Sequence, residues 1–182
     1  MNNFYIADLH FGHKNVIGFD NRPFKSIQEM DKTIINNWNS RVTDKDNVYI
    51  LGDFSWYGEI DTLRILDILN GHKILIKGNH DRISPKIAKK YDKICDYLEV
   101  KDGNKRVVLS HYPMISWNGK FRDSIHLYGH VHNTKEWDIC EKIKKELKSS
   151  QNLPIRMFNI GCMLDYMGYN PRTLTEILDA AK

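Results

Sequence analysis

Five short apolar runs in this 182-residue chain each end in polar groups able to bind a metal. In chain order the endings are Asp8-Leu9-His10, Gly52-Asp53, Gly78-Asn79-His80-Asp81, Ser110-His111-Tyr112-Pro113 and Gly129-His130-Val131-His132. Singly they say little. A lone strand-end histidine is more often exposed or hydrogen-bonded than a ligand, Asp53 alone serves equally to cap the next segment, and Asn79 alone to support a turn. In succession they point to a metal centre with Asp8, His10, Asp53, Asn79, His111, His130 and His132 as candidate ligands. Imidazole, carboxylate and amide oxygen without thiolate favour borderline or hard cations such as Mn²⁺, Fe²⁺ or Zn²⁺. Seven ligands exceed the needs of one ion but suit two, with Asp53, alone at its strand end, as the expected bridge. In an extended segment residues i and i+2 face the same way, so Asp8 and His10 are expected to grip one ion together. His130 and His132 share that spacing, although a turn there would aim them at different ions. Glycine ahead of Asp53, Asn79 and His130 lets the backbone bend sharply and approach the site.

The chemistry such a centre supports is hydrolysis: paired cations acidify water enough to make a nucleophile near neutral pH and stabilise charge that develops on the substrate.

The elements that must position these groups are legible as alternating strand-like and helix-like runs. Strands are expected at Phe4–Ala7, Val48–Leu51, Lys73–Ile76, Tyr97–Val100, Arg106–Leu109, His126–Tyr128 and Met157–Ile160, most of them brief, apolar runs of β-branched or aromatic residues. Ser26 with Glu29 forms a capping box ahead of the stripe Met30, Ile34, Ile35 and Trp38. Leu63, Leu66 and Leu69 line a second helix that Gly71 closes. Ser84-Pro85 opens a third, and a closing helix is expected from Thr173 to Ala181. The segment Lys101-Asp102-Gly103-Asn104 reads as a hairpin turn. The pattern predicts an α/β fold, a single domain over residues 1–182, with functional loops at the strand ends.

Bulk properties narrow the setting. The hydrophobic share of 41% and charged share of 27% suit a soluble globular protein. Asp8 and His10 interrupt the first apolar stretch too early for a membrane span or signal peptide. Cys95, Cys140 and Cys162 are scattered, which suits free thiols in a reducing cytoplasm. The formal charge of +4 fits an anionic partner. The lysine-rich stretch Lys142–Lys148 carries Ile139, Ile143 and Leu147 at fourth-residue spacing and a Glu141–Lys145 pair, so it reads as an amphipathic helix with a solvated face rather than a nucleic-acid patch.

The series Asp8-x-His10, Gly52-Asp53, Gly78-Asn79-His80-Asp81, Ser110-His111 and Gly129-His130-x-His132 resembles the calcineurin-like metallophosphoesterase superfamily. That resemblance implies a two-sheet β-sandwich flanked by helices. It places Asp8, His10 and His132 on a first metal and Asn79, His111 and His130 on a second, with Asp53 between. It makes His80 the general acid or a donor to the transition-state phosphate, beside the metals without binding them. The partner that orients His80 is left open, since Asp81 would point the opposite way on an extended segment. Two divalent ions are implied, Mn²⁺ first, with Fe²⁺, Zn²⁺ or Ni²⁺ as alternatives.

The protein phosphatases of the superfamily carry Gly-Asp-x-x-Asp-Arg-Gly, whereas Gly52-Asp53-Phe54-Ser55-Trp56-Tyr57-Gly58 lacks the second aspartate and the arginine. Its DNA-repair nucleases append a further domain for which this length leaves no room, and small bacterial and phage phosphodiesterases are closer in size. A phosphodiester of a small nucleotide-like substrate is therefore expected. His13 and Arg22 either touch phosphate or lie as ordinary surface residues, and Trp117 either stacks on a nucleobase or packs in the core. A nuclease trimming nucleic-acid ends is the second enzyme reading. A silent binding module is disfavoured because every expected position, including His80, is filled. Oligomeric state is not encoded in any of these signals.

Overall fold

The computed structural model describes residues 1–151 and 155–180. In it the chain folds into nine strands, β1 (Asn3–Ile6), β2 (Asn47–Ile50), β3 (His72–Ile76), β4 (Lys93–Cys95), β5 (Tyr97–Asp102), β6 (Lys105–Ser110), β7 (Ile125–Tyr128), β8 (Met157–Asn159) and β9 (Arg172–Thr173). The helices are α1 (Lys14–Phe19), α2 (Ile27–Arg41), α3 (Glu59–Ile68), α4 (Pro85–Ala88), α5 (Lys135–Gln151) and α6 (Leu174–Ala180).

Two sheets result. The first has the order β4-β3-β2-β1-β9, parallel except for β9, and the second the order β5-β6-β7-β8 with an antiparallel β5–β6 hairpin. The hairpin closes over Gly103 and Asn104, with Asp102 opposite Lys105. Strand alternation explains how the second sheet serves two layers. Val107, Leu109, Ile125 and Leu127 join Phe4, Tyr5, Ile6 and Val48 in the core between the sheets. Val108 and Tyr128 turn instead to a smaller cluster with Trp117, Val131, Cys140 and Met157. Fully burying each such aliphatic side chain is worth roughly 1.5–3 kcal/mol. This sandwich is the expected fold class.

Local signals account for the starts of α2, α4 and α6. Ser26 Oγ accepts the Glu29 N–H, and Ser84 Oγ accepts the Ile87 N–H ahead of Pro85. Thr173 belongs to β9 and not to the last helix. It caps α6 reciprocally with Glu176, and Ala181 lies outside the described residues. The α5 stripe is offset from the expected one. Cys140 is buried, with Trp137 and Leu147 packed beside it, whereas Ile139 is 54% exposed. The ion pair on that helix is Lys144–Glu141, not Glu141–Lys145.

The sheets are stitched at the end that matters. Ala7 N–H donates to Ile160 O and Cys162 N–H to Ala7 O, so the chain after β1 bridges to the segment after β8. Asp8 N–H donates to Gly52 O and Gly129 N–H to His111 O. The carboxyl ends of β1, β2, β3, β6 and β7 therefore meet in one place.

Candidate metal centre

All seven candidate ligands converge. Ligand atoms of Asp8, His10, Asp53 and His132 lie within 4.8 Å of one another. His10 Nε2 is 3.2 Å from His132 Nε2, and His132 Nε2 is 3.6 Å from Asp8 Oδ1. A second group stands beside it. Asn79 Oδ1 is 3.0 Å from both His111 Nε2 and His130 Nδ1, which are themselves 3.2 Å apart. Asp53 Oδ2 joins the two, at 3.6 Å from His10 Nε2 and 3.7 Å from His111 Nε2.

The side chains do not converge through extended backbone, and here the i, i+2 strand argument is corrected. Asp8, His10, Asp53, His130 and His132 all have positive φ, between 48° and 70°. Each such non-glycine residue costs on the order of 1–3 kcal/mol, and persists only where surrounding contacts hold it. Leu9 and Val131, between the paired ligands, are buried and anchor the turns.

Glycine appears where no other residue fits. Gly52 has φ +83°, and a Cβ there would stand 2.3 Å from His111 Nδ1. At Gly129 a Cβ would stand 2.7 Å from both Ala7 Cβ and Asp8 Oδ2. Gly52→Ala should cost about 1–2 kcal/mol from backbone conformation alone and displace His111. Thermal unfolding together with metal content of the purified variant checks both.

Secondary contacts fix the ring tautomers. His111 Nδ1–H donates to Leu51 O at 2.8 Å, leaving the Nε2 lone pair facing Asn79 Oδ1. His132 Nδ1–H donates to Asp20 Oδ1 at 2.8 Å, so its Nε2 faces Asp8 and His10. These contacts turn acceptors toward acceptors, an arrangement a cation satisfies. Around an ion bonded at about 2.1 Å, ligand atoms stand roughly 3.0–3.4 Å apart, close to the separations here. The donor set fits divalent metal.

Without metal, a proton takes the place that a cation would fill between His132 Nε2 and Asp8. Burial raises the Asp53 carboxyl above its usual range despite His111, with Asp8 adding to the effect. Burial opposes ionisation of Asp8 too, yet His132, His111 and His10 together hold it below the usual carboxylate range. Burial pushes His10 down to about 3, whereas Asp20 and Asp8 overcome burial to lift His132 to about 10.

Asp20 and Asn159 were not recognisable as site residues, and Asp81, visible in the motif, has a role the sequence left open. Asp20 Oδ2 pairs with Arg22, whose guanidinium also donates to Leu9 O and Asp8 O at 3.0 and 2.9 Å. Asp81 accepts the N–H groups of Gly78, Asp53 and Phe54, tying the loop after β3 to the loop after β2. Asn159 donates to His132 O at 2.7 Å. The missed signal for Asp20 is its place two residues before Arg22, a pair that only burial turns into a clamp. Asp20→Asn should weaken metal binding about 10–100-fold by loosening the His132 ring. Metal titration against a chelating dye reads this, and wild-type affinity would contradict the linkage.

Of the three candidate substrate contacts, one lies at the centre. The His13 ring is 5.4 Å from the His10 ring. Arg22 is corrected: it is 4% exposed, and its donors are spent on Asp20 and backbone carbonyls rather than turned to solvent. Trp117 is also corrected. It is buried in the smaller cluster, where its indole N–H donates to Ser124 Oγ. His80 is exposed, its backbone N–H donates to Asp53 Oδ1 at 2.9 Å, and its ring packs 5.8 Å from His10 and 4.8 Å from Trp56. The centre thus has a buried floor of Asp8, His10, Asp53 and His111, and a mouth at Asn79 and His80.

A two-sheet sandwich carrying this cluster at its strand ends defines a metal-dependent phosphoesterase. The family model for calcineurin-like phosphoesterases matches residues 4–155, and the chain belongs to that family. An uncharacterized protein, MJ1445, of Methanocaldococcus jannaschii is 37% identical over 150 residues, covering 81% of this chain and 80% of its own length. The gene 66 protein of Mycobacterium phage L5 is 28% identical over 162 residues, covering 72% of this chain and 78% of its own. The crystal structure of AQ665 from Aquifex aeolicus, a protein of unknown function, superposes with a TM-score of 0.65 at 25% identity over 97% of both chains. Among the described residues no helix is long and apolar enough to cross a membrane.

Proposed function

We propose that this chain hydrolyses phosphodiesters of small nucleotide-like substrates with two divalent cations, acting as one domain in the cytoplasm. The observation that carries the reading is the position of Asp53 Oδ2 between two groups of ligand atoms, 3.6 Å from His10 Nε2 and 3.7 Å from His111 Nε2. Asp8, His10 and His132 would hold one ion and Asn79, His111 and His130 the other. The nitrogen and oxygen donors without sulfur support Mn²⁺ first, with Fe²⁺, Zn²⁺ or Ni²⁺ able to substitute.

Bound cations supply Lewis acidity, acidifying the attacking water and neutralising charge on the phosphate. The remaining work belongs to the chain. Arg22 and Asp20 fix the Asp8 loop and the His132 ring, and Asp81 fixes the loop that carries Asp53. His80 stands at the open mouth beside the bridging carboxylate, where its ring can protonate the departing alkoxide.

Charge distribution supports a small ester over a long nucleic acid. The lysines of α5 are interleaved with Glu136, Asp138, Glu141 and Glu146, and Lys144 is paired with Glu141. Metal analysis combined with hydrolysis of bis(p-nitrophenyl) phosphate and p-nitrophenyl phosphate tests the reading. The expected result is about two ions per chain and faster turnover of the diester. Metal-loaded protein inert across several cations would instead mean a binding module, and rates that collapse steeply with salt on oligonucleotides would mean a nuclease.

A further inference from the structure

The loops beside the metal centre leave aromatic surface outside the core. Phe19 is 72% exposed and Trp56 44% exposed, and neither belongs to a hydrophobic cluster. They are not scattered singly. The His13 ring stacks on Trp56 at 4.2 Å and 9°, and Phe19 meets the other ring of that pair, His13, edge-on at 6.3 Å. Trp56 in turn lies 4.8 Å from His80. A continuous shelf therefore runs Phe19, His13, Trp56, His80, ending at the mouth of the centre.

The shelf is held in place. Trp56 N–H donates to Phe11 O at 2.8 Å, docking the loop after β2 on the loop after β1. Gly12, with φ +79°, lies directly on the Tyr57 ring, and both Gly12 N–H and Tyr57 Oη–H donate to the buried Asp31 carboxylate. Exposed apolar surface contiguous with a site is the ordinary mark of a ligand contact. Aromatic rings accept planar heterocycles by stacking, with little dependence on which base is offered.

Position decides which part of a substrate the shelf meets. His80 is the group placed to protonate the departing oxygen, and Trp56 touches His80. We infer that Trp56, with His13 and Phe19, forms a stacking subsite for the base of a nucleoside leaving group whose phosphate sits on the metal centre. This deepens the reading given above and rests on its placement of phosphate at the metals. The subsite selects nucleoside esters over alkyl or sugar esters.

The test compares two phosphate monoesters that differ only by the base, adenosine 5′-monophosphate and ribose 5-phosphate, binding to Mn²⁺-loaded protein in calorimetry. Stacking of one base is worth about a 5- to 150-fold ratio of affinities in favour of the nucleotide. Trp56→Ala should bring that ratio close to one, Trp56→Phe should keep most of it, and Phe19→Ala, at an exposed position, should lower it by a smaller factor. A wild-type ratio near one overturns the subsite, as does a high ratio that survives Trp56→Ala. Chromogenic diester hydrolysis is measured on the same preparations. Turnover with a ratio near one removes the shelf and leaves the phosphodiesterase reading standing. A Trp56-dependent ratio without turnover keeps the shelf and removes that reading.

Discussion

Asp53→Asn is expected to lower kcat/KM by at least about 10³-fold and to reduce metal content well below two ions per chain. The substitution is nearly isosteric. The amide oxygen of the new side chain would still accept the His80 N–H that Asp53 Oδ1 accepts at 2.9 Å, so the loop after β3 should stay in place. What disappears is the negative charge that stands between both groups of candidate ligands. Metal Lewis acidity supplies several kcal/mol of transition-state stabilisation, and each 1.36 kcal/mol is a factor of ten in rate. The metal-free protein should behave in the opposite sense. Burial, Asp8 and Asp81 hold the Asp53 carboxyl above its ordinary range. A buried acid with a raised folded-state pKa costs stability above its unfolded pKa, so its ionised form opposes folding at neutral pH. The apo variant should therefore melt no lower than apo wild type, while Mn²⁺ raises its Tm far less. Inductively coupled plasma analysis and calorimetry with and without metal check both halves. Wild-type turnover in the variant would end the bridging assignment.

The central strands were legible because they are short, apolar and bounded by polar turns, whereas their division into two sheets came from the family resemblance. β1, β2, β3, β6 and β7 are buried along almost their whole length, which a continuous apolar run announces. The missed strands lack that signature. β4 has only Ile94 and Cys95 as apolar residues, both half-buried, and β9 is the pair Arg172–Thr173, ordered by pairing with Phe4 and Tyr5. α1 was invisible for a similar reason, since Val16 is the one residue of its six that is fully buried.

The candidate ligands were legible as residue types at strand ends, but the mechanism of their convergence was not. Left-handed backbone at Asp8, His10, Asp53, His130 and His132 leaves no periodicity in the sequence. It is imposed by contacts distant along the chain, such as His130 N–H to both Asp8 carboxylate oxygens at 3.1 Å. The same distance hid Asp20, and it hid the role of Asp81, which accepts backbone N–H groups from two loops. Arg22 reads as a surface cation until the fold wraps Leu9 O, Asp8 O and Asp20 around it. Trp117 reads as a base-stacking candidate by proximity to His111, yet the loop after β6 turns it into the smaller core. Trp56, two residues beyond Phe54 in a stretch without a motif of its own, occupies the position that Trp117 was expected to fill.

His80→Asn should slow turnover of an alkyl or nucleoside ester about 10²–10⁴-fold while metal content stays near two ions per chain. The side chain makes no hydrogen bond to a candidate ligand among the described residues, and the backbone N–H that serves Asp53 survives the change. Its two assigned roles differ in one measurable way. A general acid matters in proportion to the basicity of the departing oxygen, so the variant should lose far less on nitrophenyl esters, whose anion leaves without a proton. A donor to the equatorial phosphate oxygens matters alike for both, so the loss would be uniform across leaving groups. Exposure at the mouth and contact with Trp56 on the leaving-group side favour the graded outcome. Plotting log(kcat/KM) against leaving-group basicity for both proteins separates the roles, the general acid giving a steeper slope in the variant. Loss of bound metal from His80→Asn would instead make His80 a ligand and remove it from proton transfer.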